Sequence, residues 1–91
     1  MRTRYRSQIF YVDAIHYELH EQTEGLTRAI DKYPPGSPEF TEDMRLQAIV
    51  AGPDGDVFLN PDDWYVIYPD GKRVVMTNAV FREKFTTHYT K

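Results

Sequence analysis

The chain of 91 residues contains no cysteine, which excludes disulfide bonds and thiolate metal sites. It also has no apolar run that approaches a membrane span, and no charged-then-apolar leader opens it. We therefore expect a cytoplasmic protein without a membrane partner. The length predicts a single domain, residues 1–91. Because so short a chain buries a modest core, a homo-oligomer or a bound partner would supplement its stability.

Recognisable catalytic motifs are missing as well. The sequence has no nucleophile elbow and no phosphate-binding glycine loop. His16 and His20 are four residues apart, but His16 falls in a strand pattern and no third zinc ligand is placed. The aspartates fit turn chemistry better than they fit a calcium-binding loop. We therefore expect a non-enzymatic protein that uses no metal and no cofactor.

Charge is unevenly distributed along the chain, whose formal net charge is −3. Residues 18–63 carry eleven acidic and three basic side chains, a net charge of −8. This balance argues against a general nucleic-acid binder, which needs clustered positive charge. An acidic segment of this kind is either a solvated surface or a face that meets a basic partner.

Residues 44–76 form the pattern around which the rest is organised. Two turns share the sequence Pro-Asp-Gly, at residues 53–55 and 69–71, and a tighter corner lies at residues 60–63. The runs between them alternate apolar and polar residues with a period of two, which is typical of half-buried strands. Short turns require antiparallel neighbours, so we predict a meander of four antiparallel strands.

The flanking segments complete the predicted fold. We predict a flexible basic tail at residues 1–7, a central strand at 8–17, a helix at 18–33 and a Pro-rich loop at 34–43. After the meander, Asn78 is expected to cap a short helix with Phe81 and Phe85 on one face. Residues 86–89 would form a short edge strand. The fold class is therefore α+β, a twisted antiparallel sheet of about four to five strands with one main helix packed on one face.

Acidic turns and aromatic side chains are the features of the sequence that a partner would contact. In a strand, Trp64 and Tyr68 share one face and Tyr65 takes the other, and we expect Tyr65 to be exposed. Phe40 lies alone in the Pro-rich loop, where it either packs back onto the core or anchors a partner. The predicted contact residues are Tyr65, Phe58, Asp62, Asp63, Phe40, Arg4 and Arg6.

The run Val57-Phe-Leu-Asn-Pro-Asp-Asp-Trp-Tyr-Val-Ile67 resembles the Val-x-Pro-Gly-Asp-Trp/Tyr-Ile signature of small phage and prophage accessory proteins (PGDYG-like). Val12-Asp-Ala-Ile-His-Tyr17 is similar to the opening strand of those proteins. The similarity extends in order over residues 9–89. One departure is Asp62, which stands where the signature has glycine and puts in doubt a positive φ at that corner.

The resemblance implies a small non-enzymatic phage protein, made in the host bacterial cytoplasm, of a family mostly without assigned activity. We expect a binding protein that contacts a host or phage macromolecule, with inhibition of a host defence or host enzyme as one form. Two alternatives remain open. A structural or assembly component of the virion would self-associate, and a binder of a small nucleotide ligand would have a pocket lined by arginine and tyrosine.

Overall fold

The computed structural model describes residues 3–6 and 10–87, and at residues 3–6 and 86–87 it describes the main chain alone. Eight strands, two short α-helices and one 3₁₀ turn make up the described part of the chain. The strands are β1 (Thr3–Arg6), β2 (Tyr11–His16), β3 (Thr27–Arg28), β4 (Ala48–Gly52), β5 (Gly55–Leu59), β6 (Trp64–Ile67), β7 (Arg73–Met76) and β8 (Thr86–Thr87). The helices are α1 (Ala29–Lys32) and α2 (Asn78–Lys84), and the 3₁₀ turn is Glu42–Arg45.

The strands form two antiparallel sheets, so the fold is mostly β with some helix. The large sheet has the order β7-β6-β2-β1-β8 and the small sheet has the order β3-β4-β5. The prediction of one twisted sheet is therefore wrong, because β5 and β6 are consecutive in the chain but lie in different sheets. Instead of pairing with β5, β6 pairs with β2, with Asp13 opposite Ile67 and His16 opposite Trp64.

The corner at residues 60–63 separates the two sheets. Its main chain is tied to β2 rather than to the small sheet, because Asp62 N donates to Tyr17 O at 2.7 Å and Tyr17 N donates to Asp63 O at 2.9 Å. Asp62 has φ of +74°, and it is the one non-glycine residue in the described ranges with a positive φ. Glycine tolerates this region far better than residues with a Cβ. The sequence put a positive φ at this corner in doubt because the residue is an aspartate, and the structure has one.

A first core lies between the large sheet and α2. Trp64 stacks on Phe81 with ring centroids 3.7 Å apart, and its indole nitrogen donates to Asn78 Oδ1 at 2.9 Å. Phe81 of α2 and Phe85, the extended C-cap residue just after it, both pack into this core with centroids 5.1 Å apart, whereas the prediction placed both on the helix. The cap differs from the prediction: Thr77 is the N-cap, and its side chain accepts from Val80 N. Removing a buried aromatic such as Phe81 typically costs about 3–5 kcal/mol.

A second core fills the space between the two sheets. Ile15, Tyr17 and Tyr65 of the large sheet face Val50 and Leu59 of the small sheet. Strand β2 thus has both faces covered and lies between β1 and β6, which confirms its prediction as a central strand.

The predicted helix at residues 18–33 is wrong except for its last turn, α1. Gly25 has φ of +92°, a left-handed conformation that breaks the helix, and residues 27–28 pair with β4 instead. The apolar stripe whose helical spacing predicted this helix is also divided between layers, because Leu26 packs on the second core while Ala29 and Tyr33 belong to a third cluster. Two turns of helical spacing are too short to outweigh strand pairing.

The ends of the chain and the start of the meander also differ from the prediction. Residues 3–6, expected in a flexible tail, form β1 and pair with β2 and β8. Strand β8 is an edge strand as expected, with bounds of Thr86–Thr87, while residues 88–89 lie outside the described ranges. The first meander strand begins at Ala48, since the residues before it form the 3₁₀ turn.

Candidate functional site

Three partly exposed aromatic side chains lie together on the outer face of the small sheet, and we call Tyr33, Phe40 and Phe58 the aromatic patch. The rings of Tyr33 and Phe58 have centroids 6.3 Å apart and planes inclined by 27°. All three pack on the third core cluster, formed by the buried side chains of Ala29, Met44 and Ile49. Phe40 packs back onto the core, which is one of the two alternatives expected for it, and its ring keeps a share of exposed surface.

The Pro-rich loop brings Phe40 to this position. Tyr33 is the C-cap residue of α1 and is followed by Pro34. Because a residue before proline avoids helical backbone, Tyr33 cannot continue the helix, which ends at Lys32. Two turns then reverse the chain, with Ser37 N donating to Pro34 O and Phe40 N donating to Ser37 O. Phe58 reaches the same surface from β5, because side chains alternate between the two faces of a strand.

Ion pairs lie at the edge of the aromatic patch. Lys32 Nζ donates to Asp56 Oδ2, and Tyr33 Oη donates to the same oxygen at 3.3 Å. The hydrogen bond from Lys32 lowers the pKa of Asp56, and the same bond raises the pKa of Lys32. The Lys32 ammonium also lies 5.6 Å from the centroid of the Tyr33 ring. The patch is therefore apolar at its centre and charged at its rim, which is the usual anatomy of a protein interface.

Arg45 covers part of Phe40 on the other side of the patch. Its guanidinium carbon lies 5.1 Å from the centroid of the Phe40 ring, while its Nε donates to Glu42 Oε2 at 2.8 Å. A cation over a ring face is worth about 0.5–1 kcal/mol at an exposed site. Leu46, just beyond Arg45, is 55% exposed and extends the apolar surface next to the 3₁₀ turn.

A second feature is a cleft between the two sheets, which we call the inter-sheet cleft. It has two adjoining cavities of about 490 and 330 Å³, and both have Tyr65 and Arg73 in their walls. Arg73 Nη1 donates to Tyr65 Oη at 3.3 Å. Ile15, Val50 and Ile67 give the larger cavity apolar walls.

The remaining predicted contact residues do not join the aromatic patch. Tyr65 was expected to be exposed and is only 1% exposed, because the small sheet covers the face of β6 that was expected to be open. Asp62 and Asp63 stabilise the corner: an Asp62 oxygen lies 2.7 Å from His16 Nε2, and Asp63 Oδ2 accepts from Asn60 N at 3.0 Å. The side chains of Arg4 and Arg6 lie outside the described residues.

Metal-ligating side chains do not cluster in the described part of the chain. No group of three or more His, Asp or Glu side chains in residues 3–6 and 10–87 could hold a metal ion. His16 is instead stacked on Trp64, with ring centroids 4.2 Å apart, and His88 lies outside the described ranges. None of the described helices is long and apolar enough to cross a membrane.

Two residues of these sites were missed by the sequence reasoning. Tyr33 was assigned to the buried stripe of a helix, and the Pro34-Pro35 pair after it was the signal that its side chain lies at a chain reversal. Arg73 was not singled out. Its position opposite Ile67 in the β6–β7 hairpin could have placed it next to the face of Tyr65.

Comparison of the chain with protein-family models, with curated proteins and with solved structures finds no match. The chemistry of the two sites is therefore the basis on which a function can be proposed.

Proposed function

We propose that the chain is a small non-enzymatic, phage-type binding protein that acts by contact with a host or phage protein. The observation that carries this proposal is the aromatic patch, in which Tyr33, Phe40 and Phe58 remain partly exposed over a buried support. Aromatic side chains are enriched at interfaces because they bury large areas at a low cost in conformational entropy. Inhibition of a host enzyme or host defence is the form of contact that we favour.

The charge of the chain indicates the type of partner. The patch lies within residues 18–63, whose net charge is −8. Complementary charge accelerates association and selects partners more than it adds affinity. The expected partner is therefore a protein with a basic rim around an apolar pocket, and its association with this chain should slow as ionic strength rises.

The left-handed φ of +74° at Asp62 supports the phage-type assignment. The resembled signature has glycine at this position, and a corner of this shape is what a glycine there would serve. The corner also determines which sheet β6 joins, so a shared corner would mean a shared arrangement of the two sheets.

Affinity capture from a bacterial lysate tests the proposal with one patch variant and one matched control. Phe58→Thr removes a patch ring and retains a residue suited to a strand. Val80→Thr changes an exposed apolar residue of α2, which packs against the opposite side of the large sheet. We expect the wild type and Val80→Thr to retain one partner in stoichiometric amount, and Phe58→Thr to retain at least about tenfold less.

Circular dichroism and thermal unfolding of all three proteins serve as the control for folding. Capture that is equal for Phe58→Thr and the wild type would place the contact elsewhere. The absence of any stoichiometric partner would remove the proposal itself. Self-association in the same lysate fraction, detected by light scattering, would instead favour a structural role in the virion.

A further inference from the structure

We propose that the inter-sheet cleft is a binding site for a small organic anion, with a carboxylate or phosphate head group and an apolar body. This inference concerns a site on the opposite face of the small sheet from the aromatic patch and does not depend on the partner protein. The larger cavity, of about 490 Å³, is within the range of roughly 300–1,000 Å³ that is usual for small-molecule sites.

The hydroxyl group of Tyr65 is a buried donor that lines this cleft. The Tyr65 side chain is 1% exposed, and its oxygen accepts a hydrogen bond from Arg73. None of the residues described in the structure accepts the phenolic proton. A phenol can donate one hydrogen bond as well as accept, so the Tyr65 hydroxyl at the cavity wall still has a proton to donate to an oxygen of a ligand.

Arg73 supplies the positive charge at the same point. Its guanidinium forms no ion pair with a carboxylate in the described ranges, and one of its five N–H donors is used by Tyr65. Planar guanidinium groups bind carboxylate and phosphate oxygens in a bidentate manner, with charge-assisted hydrogen bonds about twice as strong as neutral ones. Arg73 and Tyr65 together therefore form a pair of donors suited to one anionic head group.

The other charges around the cleft limit how the ligand can lie. Glu24 is in the wall of the larger cavity, while Asp54, Asp56 and the cation Lys72, next to Arg73, are in the wall of the smaller one. Asp56 is already paired with Lys32. Because like charges repel, the anionic head group belongs at Arg73, and the end of the ligand near Glu24 is neutral or carries a hydrogen-bond donor.

Aliphatic side chains from both sheets determine the body of the ligand. Ile15 and Ile67 come from the large sheet and Val50 comes from the small sheet. Burying apolar surface against such walls is worth about 25 cal/mol per Å². A hydrocarbon chain and a nucleobase are the two bodies that fit this chemistry.

Heteronuclear NMR titration tests the inference with four probes. Octanoate and AMP each carry an anionic head group and an apolar or aromatic body, whereas inorganic phosphate and adenosine each lack one of the two parts. We expect saturable shifts of the Val50, Ala51, Tyr65 and Ile67 amides with octanoate or AMP, and the probe that binds identifies the body. Shifts with neither probe at millimolar concentration, or equal shifts with phosphate alone, would overturn the inference.

Variants link any binding to the two donors. We expect Arg73→Gln and Tyr65→Phe each to weaken binding by at least about tenfold. Arg82→Gln, which changes an exposed arginine of α2, is the matched control and should bind as the wild type does. Retention of full affinity by Arg73→Gln would refute the inference even if Tyr65→Phe fails to fold. Phe58→Thr should bind the probe normally, so that failure at the aromatic patch can be distinguished from failure at the cleft.

Discussion

The corner residue Asp62 offers a direct test of the arrangement that separates the two sheets. Its φ of +74° lies in the left-handed region, and its carboxylate lies 2.7 Å from His16 Nε2. Replacing Asp62 by glycine or by alanine removes the same hydrogen bond, but only glycine relieves the strain that a Cβ causes at a positive φ. The comparison of Asp62→Gly with Asp62→Ala therefore isolates the contribution of the backbone.

The expected magnitudes follow from these two contributions. Loss of the His16–Asp62 hydrogen bond costs about 0.5–1.5 kcal/mol, and partial exposure brings the value toward the lower end. A residue with a Cβ in the left-handed region carries about 1–2 kcal/mol of strain, which aspartate tolerates better than alanine does. We expect Asp62→Ala to lower the free energy of unfolding by about 1–2 kcal/mol. Glycine removes the strain at an entropic cost of roughly 0.5–1 kcal/mol, so Asp62→Gly should remain within about 1 kcal/mol of the wild type.

Urea unfolding followed by the fluorescence of Trp64, the single tryptophan, provides the assay. Trp64 is buried and stacked on both His16 and Phe81, so its emission reports on the region next to the corner. Asp54→Ala, at a turn residue with a negative φ, is the control and should change stability by less than about 0.5 kcal/mol. Equal stabilities for Asp62→Ala and Asp62→Gly would refute the left-handed corner.

Three further predictions concern the small sheet and the second core. A Cβ on Gly52 would lie 2.9 Å from Gly55 O, so Gly52→Ala should lower the free energy of unfolding by about 1–3 kcal/mol in urea titrations. The hydrogen bond from Lys32 holds the pKa of Asp56 below its ordinary 3.8, so the pair stabilises the fold fully above that pH. The difference in free energy of unfolding between wild type and Asp56→Asn should therefore disappear as the pH falls through the pKa of Asp56 in the folded protein. Tyr17 Oη donates to a main-chain oxygen at 2.6 Å, so Tyr17→Phe should cost about 0.5–1.5 kcal/mol near neutral pH. Burial raises the pKa of Tyr17, and the positive charge of Arg28 partly opposes this shift. The stabilisation by the neutral hydroxyl is therefore fully present below pH 10.0 and is lost as the pH rises through the pKa of Tyr17 in the folded protein. Alkaline unfolding of wild type and Tyr17→Phe measures this loss.

Local chemistry in the sequence was sufficient to predict the hairpins. Gly55 and Gly71 end the two Pro-Asp-Gly turns and have φ values of +123° and +90°, which is the reason that glycine stands at both positions. The strands on either side of each turn pair as expected, β4 with β5 and β6 with β7. Both predictions depend on residues within a few positions of the turn, where sequence and geometry are directly connected.

The division into two sheets could not be predicted in the same way. An alternating strand looks the same whether its neighbour is the next strand in the chain or a distant one, and β6 pairs with β2, about fifty residues earlier in the chain. The same ambiguity explains the error at Tyr65. The sequence indicated that Trp64 and Tyr65 point in opposite directions, but only the second sheet makes both directions buried.

The two sites also differ in how far the local sequence predicts them. Phe40 and Phe58 could be proposed as contact residues from their types and positions, whereas the inter-sheet cleft exists only because two hairpins lie in different sheets. Strand β5 borders both sites, with Phe58 in the aromatic patch and Val57 in the wall of the cleft. Because adjacent residues of a strand point to opposite faces, a substitution at 58 can remove patch surface without entering the cleft. The alternation that made the sequence ambiguous about sheet membership therefore allows the two proposed functions to be tested independently.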